Sequence, residues 1–178
     1  MNTAQLRRVT AESFAHYRPG LIELLLEAVG QGWSLGFKAD LDAAQARDYF
    51  DKVLGDIQQG SLLLWVVVRD EQVQASVQLE LCQQADGCHR AQVQKMLVQR
   101  HAQRHGLGQQ LMTALEQGAR YHRRGLLTLD VQVGAPAEAF YRALGYTRVG
   151  EIPDYTCGPN GDYHSTALYF KTLHGASA

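Results

Sequence analysis

The stretch that decides the fold of this chain is residues 91–124, AQVQKMLVQRHAQRHGLGQQLMTALEQGARYHRR. Its first part, residues 93–98, is short and mostly apolar with a valine at each end, which favours a strand. Residues 99–108 are polar and basic and end in Gly-Leu-Gly. Apolar and small residues then recur at helical spacing: Leu107, Leu111, Ala114, Leu115 and Gly118. The stretch therefore predicts a strand, a glycine-bearing turn and a helix.

A turn of this kind predicts a binding site for an anion. Glycine lets the backbone come close to a ligand, and the first N–H groups and the dipole of the helix favour negative charge. Arg100, Arg104 and His105 surround the turn with further donors, so a phosphate or pyrophosphate is the expected ligand. The alternative is an ordinary helix start, since every helix begins with N–H groups that need partners.

Two common nucleotide motifs do not fit the turn. A P-loop needs Gly-x-x-x-x-Gly-Lys-Ser/Thr, and the chain contains no such string. A Rossmann fingerprint needs a third glycine where this chain has Leu111. Asp130 lies near the place of that motif's acidic residue, about 20 positions on, but the missing glycine makes the match poor.

A third pattern fits better. Residues 103–108, Gln-Arg-His-Gly-Leu-Gly, resemble the acetyl-CoA pyrophosphate loop of the GNAT acetyltransferases, Gln/Arg-x-x-Gly-x-Gly/Ala. Residues 137–146, AEAFYRALGY, resemble the second signature of that family, Ala-x-x-x-Tyr-x-x-x-Gly-Phe/Tyr. Two motifs in the right order are more specific than either alone. Within the family the chain is most similar to the tabtoxin resistance acetyltransferases, over nearly its whole length.

The resemblance implies an α/β (α+β) GNAT fold in a single domain, residues 1–178. Its sheet would be mixed, mostly antiparallel and seven-stranded, with about four flanking helices. The resemblance also implies acetyl-CoA (coenzyme A) as cofactor, bound by these residues: Met96, Leu97, Val98, Gln103, Arg104, His105, Gly106, Leu107, Gly108, Gln109, Ala137, Phe140 and Tyr141.

Three positions depart from the family pattern. Arg100 stands where proline is common, and Arg104 stands where the loop often has glycine. A residue with a Cβ adopts positive φ less readily, so Arg104 would reshape the loop or add a phosphate contact. Gly134 stands where an asparagine often touches CoA, which removes one polar contact.

Composition bounds the function further. The chain has 178 residues, 46% of them hydrophobic and 20% charged, with a net charge of −1, which fits one globular domain and no general polyanion binder. The three cysteines form no Cys-x-x-Cys pair and are odd in number, which indicates a reducing, cytoplasmic setting. The most hydrophobic run, residues 62–68, is too short for a membrane span. His101 and His105 form the only helix-spaced histidine pair, and because they fall in a loop, no metal site is predicted.

Hydrophobic periodicity predicts the element order β-α-α-β-β-β-α-β-α-β-β, with helices on both faces of the sheet. Thr10 is expected to cap the first helix and Pro19 to kink or restart it. Asp40 or Asp42 starts the second helix, whose buried side is predicted to hold Ala44, Tyr49, Phe50, Val53, Leu54 and Ile57. The last two strands are predicted over residues 146–152 and 163–173, joined by an irregular connection.

Asp130 and Tyr141 are the catalytic candidates. Alternation along residues 126–133 places Asp130 on one face with Thr128 and Gln132. In the resembling fold this strand splays from its neighbour and the gap holds the acetyl group, so Asp130 would bind the substrate's ammonium and take its proton, directly or through water. Tyr141 matches the family tyrosine that often protonates the CoA sulfur. The alternatives are a surface aspartate and a tyrosine packed in a helix face.

The acceptor wall is expected from the two longest irregular connections. Trp33 and Phe37 lie on the first, as a lid over the core or as part of the wall, and Tyr155 lies on the second. These residues, with Asp130 and His164, are the predicted substrate-binding residues.

The sequence thus predicts a cytoplasmic acetyltransferase acting on a small-molecule amine or amino-acid-like acceptor. The closest resemblance implies an amino-acid or β-lactam toxin, hence a resistance role. No nucleic acid or membrane partner is expected, and whether the protein is a homodimer stays open, as does acetylation of nitrogen or oxygen. One rival is a peptide or protein Nα-acetyltransferase, and another is a non-catalytic acyl-CoA sensor.

Overall fold

The computed structural model describes residues 3–173 and contains one seven-stranded sheet with helices on both faces. The strands are β1 Gln5–Val9, β2 Leu62–Arg69, β3 Gln72–Leu81, β4 Arg90–Val98, β5 Leu126–Gln132, β6 Thr147–Cys157 and β7 Tyr163–Thr172. The α-helices are α1 Phe14–Gly30, α2 Ala43–Gln58, α3 Leu107–Tyr121 and α4 Pro136–Ala143. This order along the chain confirms the one predicted from periodicity.

The sheet is mixed and mostly antiparallel, as predicted, with the strand order β1-β2-β3-β4-β5-β7-β6. Only β4 and β5 pair in parallel; the other neighbours are antiparallel within the described part. Parallel neighbours need a crossover connection, and α3 provides it. The strand, turn and helix of residues 91–124 are therefore the first part of this crossover.

β4 and β5 separate after three residue pairs. Their register joins Arg90 to Leu126, Ala91 to Leu127 and Gln92 to Thr128. Both strands continue beyond these pairs, but in the described structure they are no longer paired with each other. The splay expected from the resemblance is therefore present, and it opens a gap at the centre of the sheet.

β2 shows why the sheet is covered on both faces. The side chains of Leu63, Trp65 and Val67 pack in the cluster beneath α3 and α4, whereas Leu64 and Val66 pack beneath α1 and α2. Burying each such side chain contributes about 1.5–3 kcal/mol. The continuous apolar run in the sequence is therefore a central strand between two cores.

α1 and α2 differ in two details from the prediction. Ser13, not Thr10, is the residue before α1, and the Thr10 N–H donates to Ser13 Oγ at 2.9 Å. α1 runs through Pro19 without restarting, because its buried leucines hold it while proline removes a single helical N–H. Asp42 caps α2 in a capping box with Gln45. This start turns Ala44 to solvent, so its predicted burial is wrong.

β6 is longer than predicted and reaches Cys157. A register shift between Ile152 and Thr156 accommodates Pro153, which is tolerated because β6 is an edge strand with a bulge. Tyr155 therefore lies on a strand, and its predicted place on an irregular connection is wrong. The connection between β6 and β7 is only residues 158–162.

Within residues 3–173, no helix is long and apolar enough to cross a membrane. The same part of the chain contains no cluster of three or more histidine, cysteine or acidic residues that could hold a metal. His101 instead contacts the Gln74 side chain at 2.9 Å.

Candidate active site

The start of α3 leaves backbone N–H groups available. Gly106 precedes the helix with φ of 78°, and no side chain of the described residues caps it. The N–H groups of Leu107, Gly108 and Gln109 have no partner within the helix, because no residue lies one turn earlier. Arg104 and His105 are exposed beside them. This geometry suits the phosphate groups of a nucleotide cofactor.

Arg104 adopts the conformation that its family position requires. Its φ is 61°, in the left-handed region, which costs a residue with a Cβ about 1–2 kcal/mol. Gln103 ties the loop back to β4, since its Nε2 donates to the Val98 carbonyl at 3.3 Å. Arg104 is therefore held in a strained conformation two residues before Gly106.

The splayed edge of β4 provides main-chain groups toward the gap. β4 pairs with β3 as far as Val98 but with β5 only as far as Gln92. An extended cofactor arm can bind such an edge as an added strand does. The Leu97 side chain is buried beneath α1 at 2% exposure, so Leu97 can reach a cofactor only through its backbone, whereas Met96 and Val98 are partly buried on the opposite face.

α4 closes the cofactor side. A Cβ on Gly108 would lie 3.1 Å from Phe140 Cζ, so the first turn of α3 meets α4 through a glycine. Tyr141 is buried, and its ring lies 5.7 Å edge-on from the Tyr146 ring. Burial, with a smaller effect from Asp130, raises the pKa of the Tyr141 hydroxyl above its ordinary value. Tyr141 therefore keeps its proton at neutral pH.

Asp130 lies in the splayed part of β5, two residues beyond the last pair with β4. It is exposed, and its Oδ1 accepts from Gln92 Nε2 at 3.1 Å, across the opening of the gap. The predicted face is correct: Thr128, Asp130 and Gln132 lie opposite to Leu127 and Leu129, which face α3. The carboxylate is accessible to an acceptor on the α2 side of the sheet.

Lys95 is a site residue that sequence reasoning missed. Its Nζ donates to the Leu35 carbonyl at 2.7 Å and lies 5.6 Å from the Phe37 ring and 5.9 Å from the Tyr49 ring. Burial lowers the pKa of the Lys95 ammonium, and the charge of Asp130 partly opposes that shift. The signal was present in the sequence, as a lysine within an apolar strand.

Glu138 is a second residue that the sequence reasoning did not single out. Its buried carboxylate accepts from the Tyr169 hydroxyl and, at 2.8 Å, from the Gly134 N–H, and Arg148 Nε lies 3.5 Å away. The Tyr169 hydrogen bond, followed by that of Gly134, lowers the pKa of Glu138. This ionised carboxylate fixes the start of α4 to β7, one turn before Tyr141.

Residues 31–42, here called the lid loop, cross the acceptor side. Ser34 Oγ lies 3.5 Å from Gln132 Oε1, and the Ala39 N–H donates to the Pro159 carbonyl at 3.2 Å. Phe37 packs under the loop against Tyr49, with ring centroids 5.2 Å apart. Of the predicted wall residues, Phe37 thus lies beside Lys95, while Trp33 on the same loop is 37% exposed.

Tyr155 and His164 lie toward the tip of the β6–β7 hairpin. Tyr155 is 57% exposed on β6. His164 lies four residues along β7 from Leu168, the partner of Asp130, which is about 13 Å along a strand. A Cβ on Gly158 would lie 2.9 Å from His164 Nε2. His164 therefore lies beside Gly158, in the β6–β7 turn whose Pro159 carbonyl contacts the lid loop, and away from Asp130.

The fold and site define an enzyme of the acyltransferase class: an uncapped helix start, an open strand edge and a buried tyrosine meet at a splayed parallel pair. Residues 35–154, more than half of the chain, match the family model described as acetyltransferase (GNAT) domain. The chain belongs to the GNAT acetyltransferase family and is an acetyltransferase, and the donor in this family is acetyl-CoA.

Solved structures share the fold at low identity. A ribosomal-protein-alanine N-acetyltransferase from Brucella melitensis superposes with a TM-score of 0.79 at 18% identity, covering 95% of this chain and 99% of the other. A putative acetyltransferase from Salmonella typhimurium, solved with its cofactor acetyl-CoA, gives 0.78 at 14% identity over 99% and 98%. An N-acetyltransferase from Staphylococcus aureus Mu50 gives 0.80 at 12% over 97% and 100%.

Proposed function

We propose that this acetyltransferase moves an acetyl group from acetyl-CoA to the amine of a small polar acceptor. From the predicted similarity to tabtoxin resistance enzymes, we further propose that the acceptor is an amino-acid-like or β-lactam compound. The observation that supports a small acceptor is the way in which the lid loop is held. It is tied at Ser34 to β5, at Leu35 to β4 and at Ala39 to the β6–β7 turn. A loop held at three points encloses the acceptor side.

The chemistry follows from the two sides of the gap. Acetyl-CoA supplies the acetyl thioester. The acceptor arrives as an ammonium, because amines of this kind titrate near 8 to 10, and Asp130 attracts it and accepts a proton directly or through water. The amine lone pair then forms the new N–C bond while the C–S bond breaks. Tyr141 gives its proton to the departing thiolate and regains one from the nitrogen.

The cofactor contacts are proposed to divide between backbone and side chains. The N–H groups of residues 106–109 would hold the pyrophosphate, with Gln103, Arg104 and His105 around it. Residues 96–98 would bind the arm of the cofactor through the open strand edge. Ala137 and Phe140, which pack against the core at the start of α4, would contact that arm. On the acceptor side, Trp33, Phe37, Tyr155 and His164 form the proposed wall.

The test is thiol release from acetyl-CoA with matched acceptors: free amino acids, β-lactam amines and short peptides. The expected result is release with small acceptors and at least about tenfold lower kcat/KM for a tripeptide, a difference of about 1.4 kcal/mol in transition-state binding. Preference for the tripeptide would favour the rival Nα-acetyltransferase. Release with none of them, although acetyl-CoA binds, would favour the acyl-CoA sensor.

The peptide rival has one specific observation in its favour. A structural neighbour is described as a ribosomal-protein-alanine N-acetyltransferase. That enzyme shares 18% sequence identity with this chain. Similarity at this level supports a common fold and says nothing about the acceptor. The tied lid loop favours the small acceptor, because an extended chain would need an open groove. We also propose the cytoplasm as the compartment, from the odd number of cysteines.

A further inference from the structure

β4 contains a strained residue at the acceptor site. Lys95 has φ of 49°, in the left-handed region that non-glycine residues rarely adopt. The register of β4 with β3 shifts at this point, between the pairs Gln94–Gln78 and Leu97–Ser76. The strain therefore belongs to a bulge, and bulges beside active sites redirect side chains.

The bulge changes the face on which Lys95 lies. In regular alternation Val93 and Lys95 would share a face, and Val93 packs in the cluster beneath α3. Instead Lys95 Nζ lies near Phe37 and Tyr49, which pack with the cluster beneath α1 and α2. The backbone strain thus moves one ammonium from the core under α3 to the acceptor side.

The ammonium retains hydrogen-bonding capacity there. A lysine has three N–H donors, and within residues 3–173 the hydrogen-bond partner of Nζ is the Leu35 carbonyl. The Phe37 and Tyr49 rings lie within 6 Å and favour a cation. Two donors are therefore left for a ligand under the lid loop.

Asp130 provides the opposite charge on the same face. The charge of Asp130 partly opposes the lowering of the Lys95 pKa by burial, and Gln92, three residues before Lys95 on β4, donates a hydrogen bond to the carboxylate. α1 and α2 pack over β2, β3 and β4, whereas Thr128, Leu168 and Phe170, on the same face of β5 and β7, are only partly buried. This face thus carries an anion, Asp130, at its open part and a cation, Lys95, beneath the lid loop.

We propose that Lys95 is a specificity-determining residue that binds an anionic group of the acceptor while Asp130 binds its amine, so that the preferred acceptor is a zwitterion such as a free α-amino acid or a close analogue. This inference rests on the proposed function. It adds to it that the acceptor must carry a carboxylate or an equivalent anion.

The test compares acceptors that differ in a single charge. Each free amino acid in a panel is paired with its carboxamide, which keeps the amines and removes the anion. The wild-type enzyme is expected to favour the acid by at least about tenfold in kcat/KM, the range of a hydrogen bond between charged groups. Lys95→Met is expected to acetylate acid and amide equally within about twofold, and Lys95→Arg to keep the preference for the acid.

Two controls separate specificity from structure. Lys52→Met removes an exposed lysine of α2, outside the lid loop, and should leave the preference unchanged. The dissociation constant for acetyl-CoA shows whether Lys95→Met has kept its fold. If Lys95 only supported the loop, Lys95→Met would lower kcat/KM for the acid and for the amide by the same factor. That result would overturn the proposal.

The wild-type comparison of acids with amides tests the proposal even if Lys95→Met does not fold. Acetylation of acids and amides at equal kcat/KM would overturn the zwitterion proposal and leave the small-acceptor function intact. Absence of thiol release with every amine, despite acetyl-CoA binding, would overturn both. A preference for acids that Lys95→Arg keeps supports the proposal.

Discussion

The two sides of the gap are built in different ways. The proposed cofactor side uses backbone groups from one short segment: the edge of β4, the loop with Gly106 and the first turn of α3. The proposed acceptor side uses side chains from distant segments, with Gln92 on β4, Asp130 on β5 and Phe37 on the lid loop. Backbone groups stay in place when side chains are substituted, whereas a site made of side chains changes with each substitution. Such a difference would let one fold keep its donor site while its acceptor site varies.

Loss of the proton donor should give the largest effect. Tyr141→Phe removes the hydroxyl that both sides share and should lower kcat by roughly 10² to 10⁴, the range of a lost acid–base group. The affinities for acetyl-CoA and acceptor should stay nearly unchanged in calorimetry. Tyr121→Phe, at an 81% exposed position, is the matched control. Wild-type kcat in Tyr141→Phe at every pH would mean that water or another group protonates the thiolate.

Asp130→Asn should separate the two sides. In the proposed mechanism the charge of Asp130 serves the acceptor only, so kcat/KM for amines should fall roughly 10- to 150-fold, the value of a hydrogen bond between charged groups. Affinity for acetyl-CoA should stay within about threefold, less than 1 kcal/mol. Steady-state kinetics and calorimetry measure the two quantities. Asp48→Asn on α2 is exposed and serves as control; an equal loss of cofactor affinity would contradict the division into sides.

Glu138→Gln should test how the start of α4 is attached to β7. The folded pKa of Glu138 is lowered, so its stabilisation is fully present above the unfolded pKa, near 4.3, and is lost as pH falls through the folded value. At pH 7 the variant should lose about 1.5–3 kcal/mol of unfolding free energy in urea, and the difference from wild type should shrink below pH 4.

The control for Glu138 is Glu151→Gln. Glu151 pairs with Arg148 at the surface, where an ion pair contributes about 0–1 kcal/mol. A stability loss in Glu138→Gln that does not change between pH 7 and pH 3 would show that packing, not the ionised carboxylate, holds α4.

Gly108→Val should give the smallest effect and concern the cofactor side alone. The new side chain meets Phe140, whose ring lies 3.1 Å from the added Cβ, and pushes the anion from the N–H groups. The dissociation constant for acetyl-CoA should rise at least about tenfold, or 1.4 kcal/mol. Gly55→Val, with nothing within 4 Å of its Cβ, is the control. Unchanged calorimetric affinity in a folded variant would refute the loop as the phosphate site.

The sequence predicted the strand, the glycine-bearing turn and the helix of residues 91–124, because their signals are local. The glycine pair, the valine that ends β4 and the tyrosine of α4 are all read from spacing, and the structure has Gly106 at positive φ and an uncapped α3 as that spacing requires. Even the unusual Arg104 fits, since the loop imposes φ of 61° on it. Backbone path over ten residues follows from those residues themselves.

On the proposed acceptor side, the sequence predicted the positions of two residues in the fold. The face of Asp130 followed from strand alternation, and Phe37 was placed on the right loop. Tyr155 was expected on an irregular connection because a proline such as Pro153 usually ends a strand. Here an edge strand with a bulge accommodates Pro153. Its wall role, with those of Trp33 and His164, stays a prediction.

By itself, the sequence determined the order of elements, the mixed sheet and the glycine-bearing loop before α3, because periodicity and glycine spacing act over one element and its turn. Only the tertiary structure decided which charges meet. Lys95 changes face through one bulge, and Glu138 finds Tyr169 31 positions away. Such contacts depend on how strands pair and splay, and alternation within a single strand carries no information about its neighbour.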